Sequence, residues 1–234
     1  LRDRLPPALL RRLKRPPDLA PPLDGPLAEP ARLRRAWRLA AASNASSPGT
    51  PIAYHRLRIA GLDLPGERDF ATRWRTIEAV ADLRDRRVLE LGCNLALFST
   101  FALRAGAAAA LACDRDREIL GAAAEVARTL GAHPSLVELD LDADAPWERT
   151  LKPFEADLVV ALSVVHWLRT PARTLRFLAG HPLVLYEGHE SAERERRRLL
   201  AAGFEDVERV LTTERGRALF LCHGSRAPGT RPGG

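Results

Sequence analysis

The chain has 234 residues and a formal net charge of +6, long enough to bury one sizeable core and basic enough to raise the question of polyanionic partners. Its three cysteines, Cys93, Cys113 and Cys222, are far apart and form no CxxC pair, which excludes a disulfide framework or zinc knuckle and fits a reducing, cytoplasmic setting. No apolar run approaches the length of a membrane span, so no membrane association is expected.

The charge is localised. Residues 1–38 hold ten Arg or Lys against four Asp or Glu, so this segment alone carries the surplus and the rest of the chain is neutral. Only Lys14 and Lys152 are lysines, and with abundant Ala, Leu and Pro the arginine bias fits GC-rich coding as well as phosphate binding. Met is absent even at position 1, which suggests a trimmed or non-natural start. Arg11-Arg12 has the look of a twin-arginine export signal, but the Pro-rich sequence after it lacks the apolar segment such a signal needs.

Residues 1–50 read as a Pro/Arg-rich arm, partly disordered, with one short helix near Ala31–Ala42; the sharper reading is a basic arm that touches an anionic substrate or partner. Residues 51–86 read as a separate segment. Tyr54-His55-Arg56-Leu57-Arg58-Ile59 alternates as a strand, Gly61–Asp69 reads as a turn-rich link, and Phe70–Leu83 as a helix with Ile77, Val80 and Ala81 on its apolar side.

Val88-Leu89-Glu90-Leu91-Gly92-Cys93-Asn94-Leu95-Ala96 then describes a buried strand and a tight turn, with helical spacing through Phe101, Ala102 and Ala105. Ala107–Asp114 is a second strand. Asp114 lies 22 positions beyond Gly92, near the offset at which a carboxylate meets a ribose hydroxyl in nucleotide-binding βαβ units. A helix at Arg117–Leu130 closes at Gly131, and a third strand, Leu136–Leu139, leads into Asp140-Leu141-Asp142.

Leu158–Leu162 is a buried strand that emerges at Ser163-Val164-Val165-His166-Trp167, with Thr170-Pro171 starting the next helix. Leu183–Tyr186 is a fifth strand, ending in Glu187-Gly188-His189-Glu190. A charged helix over Glu190–Ala202, with Leu199 and Leu200 inward, precedes an antiparallel hairpin over Phe204–Leu211 and Arg217–Cys222. Residues 224–234 read as a disordered tail.

The Glu90-x-Gly92-Cys93-Asn94 stretch resembles motif I of the class I methyltransferases that use S-adenosylmethionine, with Asn94 and Ala96 at the positions of the second and third glycines. The Phe154–Leu168 stretch looks like motif IV of the same family, and the Gly203-Phe204 step before a final hairpin looks like its closing strands. The resemblance covers Val88–Cys222. It implies an α/β Rossmann-like fold, a seven-stranded mostly parallel sheet with a C-terminal antiparallel hairpin, in a domain over 87–223.

It also implies that S-adenosylmethionine, with S-adenosylhomocysteine as product, is held by Glu90, Gly92, Cys93, Asn94, Ala96, Asp114 and Leu162, with Asp140 or Asp142 at the adenine amine. In the family the segment before motif I often covers the active site, which makes Tyr54, His55, Arg68 and Arg73 candidate substrate contacts. A nicotinamide-binding domain shares the first βαβ unit but carries a third glycine that this chain lacks.

Methyl transfer needs alignment and desolvation, and a hydroxyl acceptor also benefits from a base. His166 and the pair Glu187 and His189, at the ends of neighbouring strands, are the catalytic candidates. Their spacing matches no metal motif, and no metal is predicted. The leading reading is O-methylation of a small molecule; RNA is the alternative acceptor, disfavoured by the neutral charge of this region. A degenerate fold used only for binding competes, because Asn94 and Ala96 replace glycines. An arginine-rich pocket would favour an acidic metabolite or phosphate. Oligomeric state leaves no mark on the sequence.

Overall fold

The computed structural model describes residues 29–43 and 51–225. Most of the basic arm, 1–28 and 44–50, and the tail at 226–234 lie outside the described residues, so the readings made there do too. Helix α1 (Pro30–Ser43) buries Leu33, Ala36, Trp37 and Ala40, the four residues that a helical period places on one stripe. Trp37 pins this helix to the cover segment, its indole donating to the carbonyls of His55 (3.1 Å) and Pro65 (3.0 Å).

Strand β1 (Ala53–Ile59) alternates buried and partly exposed residues as its sequence does. The stretch read as a turn-rich link is instead two short strands, β2 (Leu62–Leu64) antiparallel and β3 (Gly66–Asp69) parallel to β1. Gly66 permits the second pairing, since a Cβ there would stand 2.0 Å from the carbonyl oxygen of His55. Helix α2 (Phe70–Val80) starts where the Asp69 side chain accepts from Thr72 N at 2.9 Å. It ends three residues earlier than expected, at an extended Ala81.

The rest of the chain alternates: β4 (Arg87–Leu91), α3 (Leu97–Arg104), β5 (Ala109–Asp114), α4 (Arg117–Thr129), β6 (Ser135–Glu138), α5 (Glu148–Leu151), β7 (Leu158–Leu162), α6 (Pro171–Ala179), β8 (Leu183–Glu187), α7 (Ala192–Ala201), β9 (Asp206–Thr212) and β10 (Ala218–His223). These strands form one sheet in the order β6-β5-β4-β7-β8-β10-β9. Five are parallel and β10 runs antiparallel to β8 and β9, the sheet and closing hairpin that were expected. The reversal of strand order between β4 and β7 opens a crevice at the carboxyl ends of the strands.

Apolar side chains fill both faces. Phe70, Trp74, Phe98 and Phe101 cluster on one, with Phe70 and Phe101 ring centroids 4.8 Å apart, and so join α2 of the cover to α3 of the main sheet. Tyr186, Leu199, Phe204 and Phe220 lie on the other. One expectation is corrected on α7. Leu199 is buried, but Leu200 is 36% exposed, and the inward place one turn before Leu199 is taken by Glu195. Glu195 accepts from the Tyr186 hydroxyl (3.0 Å) and from the backbone N–H groups of His189 (2.9 Å) and Glu190 (3.0 Å), satisfying a loop that would otherwise bury bare donors. Among the described residues no helix is long and apolar enough to cross a membrane.

Candidate functional site

Two constellations sit at the carboxyl edge of the sheet. The first is the turn after β4. Gly92, Asn94 and Ala96 all take positive φ, at 63°, 49° and 49°, so the turn adopts the left-handed conformations of a glycine-rich loop with only one glycine. At Gly92 a Cβ would stand 2.5 Å from Val164 Cγ2, so glycine is required there for packing against the segment after β7. Ala96 is fully buried and its methyl group joins Cys93, Ala112, Leu120 and Ala123 in a small apolar cluster.

Asp114, at the end of β5, holds the turn from the neighbouring strand. Its Oδ2 accepts from Asn94 N at 2.9 Å and its Oδ1 from Asp116 N at 3.1 Å. Burial raises its pKa, against the pull of these N–H bonds. Each carboxylate oxygen keeps a lone pair for a further donor. Glu90 caps α3 from within β4: Ala96 at the N-cap has no side-chain oxygen, and Glu90 Oε2 instead accepts from Ser99 N at 2.8 Å. Desolvation pushes the Glu90 carboxyl up to about 7, with the bonds from Ser99 opposing it. Cys93 is buried with its thiol on the Asn94 carbonyl at 3.7 Å, and Leu162 is 8% exposed within the core. Asp140 Oδ1 accepts from Asp142 N (2.9 Å), and Asp142 Oδ1 accepts from Arg169 N (2.8 Å), which ties the turn after β6 to the approach to α6.

The second constellation is built on β8. Glu187 is 1% exposed, and its Oε1 accepts from Arg68 Nη2 at 2.7 Å and from Ser163 Oγ at 2.8 Å. Arg68, from β3, also donates through Nε to Glu214 at 2.7 Å, so the cover segment is tied by ion pairs to the ends of β8 and β9. Attraction to Glu187 and Glu214 lifts the Arg68 pKa above its ordinary value although burial opposes it. Arg73, on the first turn of α2, is wholly buried; it donates to the Asp69 carbonyl (3.3 Å) and meets His55 Nδ1 at 3.1 Å. Burial, then the Arg73 and Arg68 charges, hold His55 well below the usual imidazole range, so His55 is a neutral acceptor here. Tyr54 lies beneath Arg73, whose guanidinium carbon is 5.8 Å from the ring centroid, and its hydroxyl has no hydrogen-bond partner.

His166 and His189 stack face to face beside Glu187, 22° from parallel, with Trp167 standing 64% exposed at their side. His189 Nε2 meets Arg217 Nη1, which makes that nitrogen the acceptor. Burial lowers His166 to about 4, with the Arg217 and Arg198 charges adding to it. Burial, then His166 and Arg217, lower His189 to about 3. Both imidazoles are neutral at pH 7, and both ring nitrogens of His166 have no hydrogen-bond partner.

The structure thus gathers Glu90, Gly92, Cys93, Asn94, Ala96 and Asp114 at one strand junction, and His55, Arg68, Arg73, Glu187, His166 and His189 at another. Asp140 and Asp142 follow the edge strand β6 on the Asp114 side, where Leu139 N donates to the Asp114 carbonyl at 2.8 Å. Sequence reasoning missed Ser163, Arg217 and Glu214. Ser163 carried one readable signal, a hydroxyl at the mouth of a buried strand, and the structure gives it a positive φ of 59°, strain of the kind held at functional sites. Among the described residues no three His, Cys, Asp or Glu side chains are arranged to hold a metal.

Searches against family models and curated proteins found no match. Solved structures do match in fold. EvdMO1 aligns at TM-score 0.62 and 20% identity over 83% of this chain and 47% of its own. The [4+2]-cyclase SpnF aligns at 0.52 and 16% over 64% and 79%, and SMU.776, described as a methyltransferase and complexed with SAH, at 0.54 and 11% over 70% and 54%. The chain has the class I methyltransferase fold. It spans about half the length of EvdMO1 and of SMU.776. The methyltransferase fold carries more than one chemistry, since SpnF is a cyclase, so the fold alone does not fix the reaction.

Proposed function

We propose that the chain is an S-adenosylmethionine-dependent methyltransferase that methylates a hydroxyl of a small-molecule acceptor. The observation that carries this reading is the turn at 92–96: three alternate left-handed residues held by Asp114, with a buried acceptor, Asn94 Oδ1, that has no partner. Those features fit the cofactor. Asp114 offers two carboxylate oxygens to a ribose diol, and Asn94 Oδ1 an acceptor to an ammonium group. Ala96 does not obstruct this, because its methyl group is packed into the apolar cluster.

When bound, S-adenosylmethionine supplies an electrophilic methyl group on a sulfonium. The chain's own residues do the rest. His166, neutral at pH 7 and with both ring nitrogens buried and without a hydrogen-bond partner, takes the proton from an acceptor hydroxyl that enters beside it. Glu187 is the weaker candidate for that proton, because Arg68 and Ser163 already occupy its Oε1. His189, stacked on His166 and fixed by Arg217, sets the ring plane of the base. Trp167 offers an exposed apolar face to the body of the acceptor.

The test is calorimetric titration of S-adenosylmethionine and S-adenosylhomocysteine into the intact chain and into Asp114→Ala. Micromolar binding that the substitution weakens supports the reading. Folded protein that binds neither ligand at millimolar concentration overturns it and leaves the fold as a binding module.

A further inference from the structure

The charges around Glu187 do not balance. Arg68, Arg73 and Arg217 all point at this one carboxylate, with nearest N···O distances of 2.7, 3.9 and 3.9 Å. Glu214 adds a second carboxylate, to Arg68, and it is 38% exposed. Three guanidinium groups therefore share two carboxylates, and the imidazoles of His55, His166 and His189 beside them are neutral. Arg215 brings no further surplus, because Glu67 pairs with it at 3.2 Å.

Hydrogen bonding is incomplete in the same place. Arg68 Nη1 and Arg73 Nη1 are buried donors without a partner. Arg73 Nη1 faces Glu187 Oε2 at 3.9 Å, beyond hydrogen-bond reach. Burying a guanidinium with an idle N–H is costly, and a ligand oxygen placed there would complete the set. The forked donors of arginine match the two oxygens of a carboxylate or a phosphate.

Position separates this cluster from the cofactor turn. Asp114 and the 92–96 turn belong to β5 and β4, whereas Glu187 and Arg217 belong to β8 and to the start of β10, with β7 and His166 between. We propose that the acceptor carries an oxyanion, a carboxylate or phosphate group, seated between Arg73 and Arg217, with its reacting hydroxyl turned toward His166. Its role as an acceptor site rests on the methyltransferase reading; the anion seat stands on the charges alone. An anion there offsets the Arg217 charge, which after burial is the second cause of the low His166 pKa.

Malonate and inorganic phosphate are the probes, titrated calorimetrically into the full chain at fixed ionic strength, with neutral malonamide as control and S-adenosylhomocysteine present or absent. The expected result is that at least one anion binds and malonamide does not. Arg217→Gln, at a side chain 19% exposed, is expected to weaken the anion about tenfold, the loss of one charge-assisted hydrogen bond, and to leave S-adenosylhomocysteine affinity unchanged. Folded protein that binds neither anion overturns the proposal. So does anion affinity that is indifferent to both Arg217→Gln and Arg73→Gln. A third result also overturns it: Arg73→Gln weakening S-adenosylhomocysteine but not 5′-methylthioadenosine, which lacks the amino-acid carboxylate, would make this the cofactor's anion seat. If the anions bind and S-adenosylhomocysteine does not, the methyltransferase reading fails and the anion seat is upheld.

Discussion

Arg68 and Glu187 are 119 positions apart in sequence, yet Arg68 Nη2 donates to Glu187 Oε1 at 2.7 Å with both side chains fully excluded from water. This pair joins the small β2-β1-β3 sheet to the carboxyl end of β8 in the main sheet. Removing one member of a buried pair leaves the other charge uncompensated, which typically costs about 3–5 kcal/mol. Glu187→Gln is therefore expected to lower stability by about 3 kcal/mol in urea denaturation. Glu214→Gln, which removes the half-exposed second partner of Arg68, is expected to cost under about 1 kcal/mol. Equal losses in the two variants would mean that Glu187 does not anchor the cover.

Glu90 gives a prediction about pH. Its carboxyl is raised from 4.5 to about 7 in the folded protein, so between those values the native state holds a proton that the unfolded chain has released. Stability from this group is complete below about 4.5 and is lost as pH rises through about 7, up to about 3 kcal/mol in all. Glu90→Gln keeps an oxygen for Ser99 N and cannot ionise. The variant is expected to gain stability relative to the natural chain between pH 5 and pH 8, measured by denaturant midpoints across that range. A difference that is flat with pH would refute the raised value.

The main sheet was legible because its signals are local: apolar runs at 88–91, 158–162 and 183–186, each followed by Gly, Ser or an acidic residue where the strand emerges. The turn at 92–96 was legible for the same reason. What could not be read is long-range. Pro65-Gly66-Glu67-Arg68-Asp69 has the composition of a surface turn, and nothing local says that Arg68 is buried against residues 187 and 214. Gly66 held the clue, since its fit against the His55 carbonyl makes the stretch a strand, but that contact exists only after β1 and β3 have paired. Arg217 was missed for a like reason: it immediately precedes β10, whose antiparallel register with β8 decides where its side chain ends.

For the reaction, His166 must be deprotonated to act as base, and with its pKa lowered to about 4 it already is at pH 6. Initial rates with a confirmed acceptor are expected to be flat from pH 6 to pH 8, with the acid limb well below the usual imidazole range. His166→Ala is expected to lower kcat by about a hundredfold, the usual worth of a positioned base, with little change in KM for the cofactor. An acid limb near pH 6.5 that persists in His166→Ala would assign the proton transfer to another group.

Ala96 decides between an active site and a vestigial one. If its methyl group blocked the cofactor, Ala96→Gly would raise S-adenosylhomocysteine affinity sharply from a negligible start. Here the methyl group is wholly buried against Cys93, Ala112, Leu120 and Ala123, so deleting it opens no space at the ligand face of the turn. The substitution is expected to change affinity by less than about threefold, or under about 0.7 kcal/mol. Its stability effects oppose one another. Relief of the left-handed backbone at φ 49° is worth about 1–2 kcal/mol, while losing a buried methyl and freeing the unfolded chain costs about as much. A denaturant midpoint close to that of the natural chain, with unchanged ligand affinity, is therefore the expected outcome. A gain in affinity of tenfold or more would show that Ala96 holds the site partly closed.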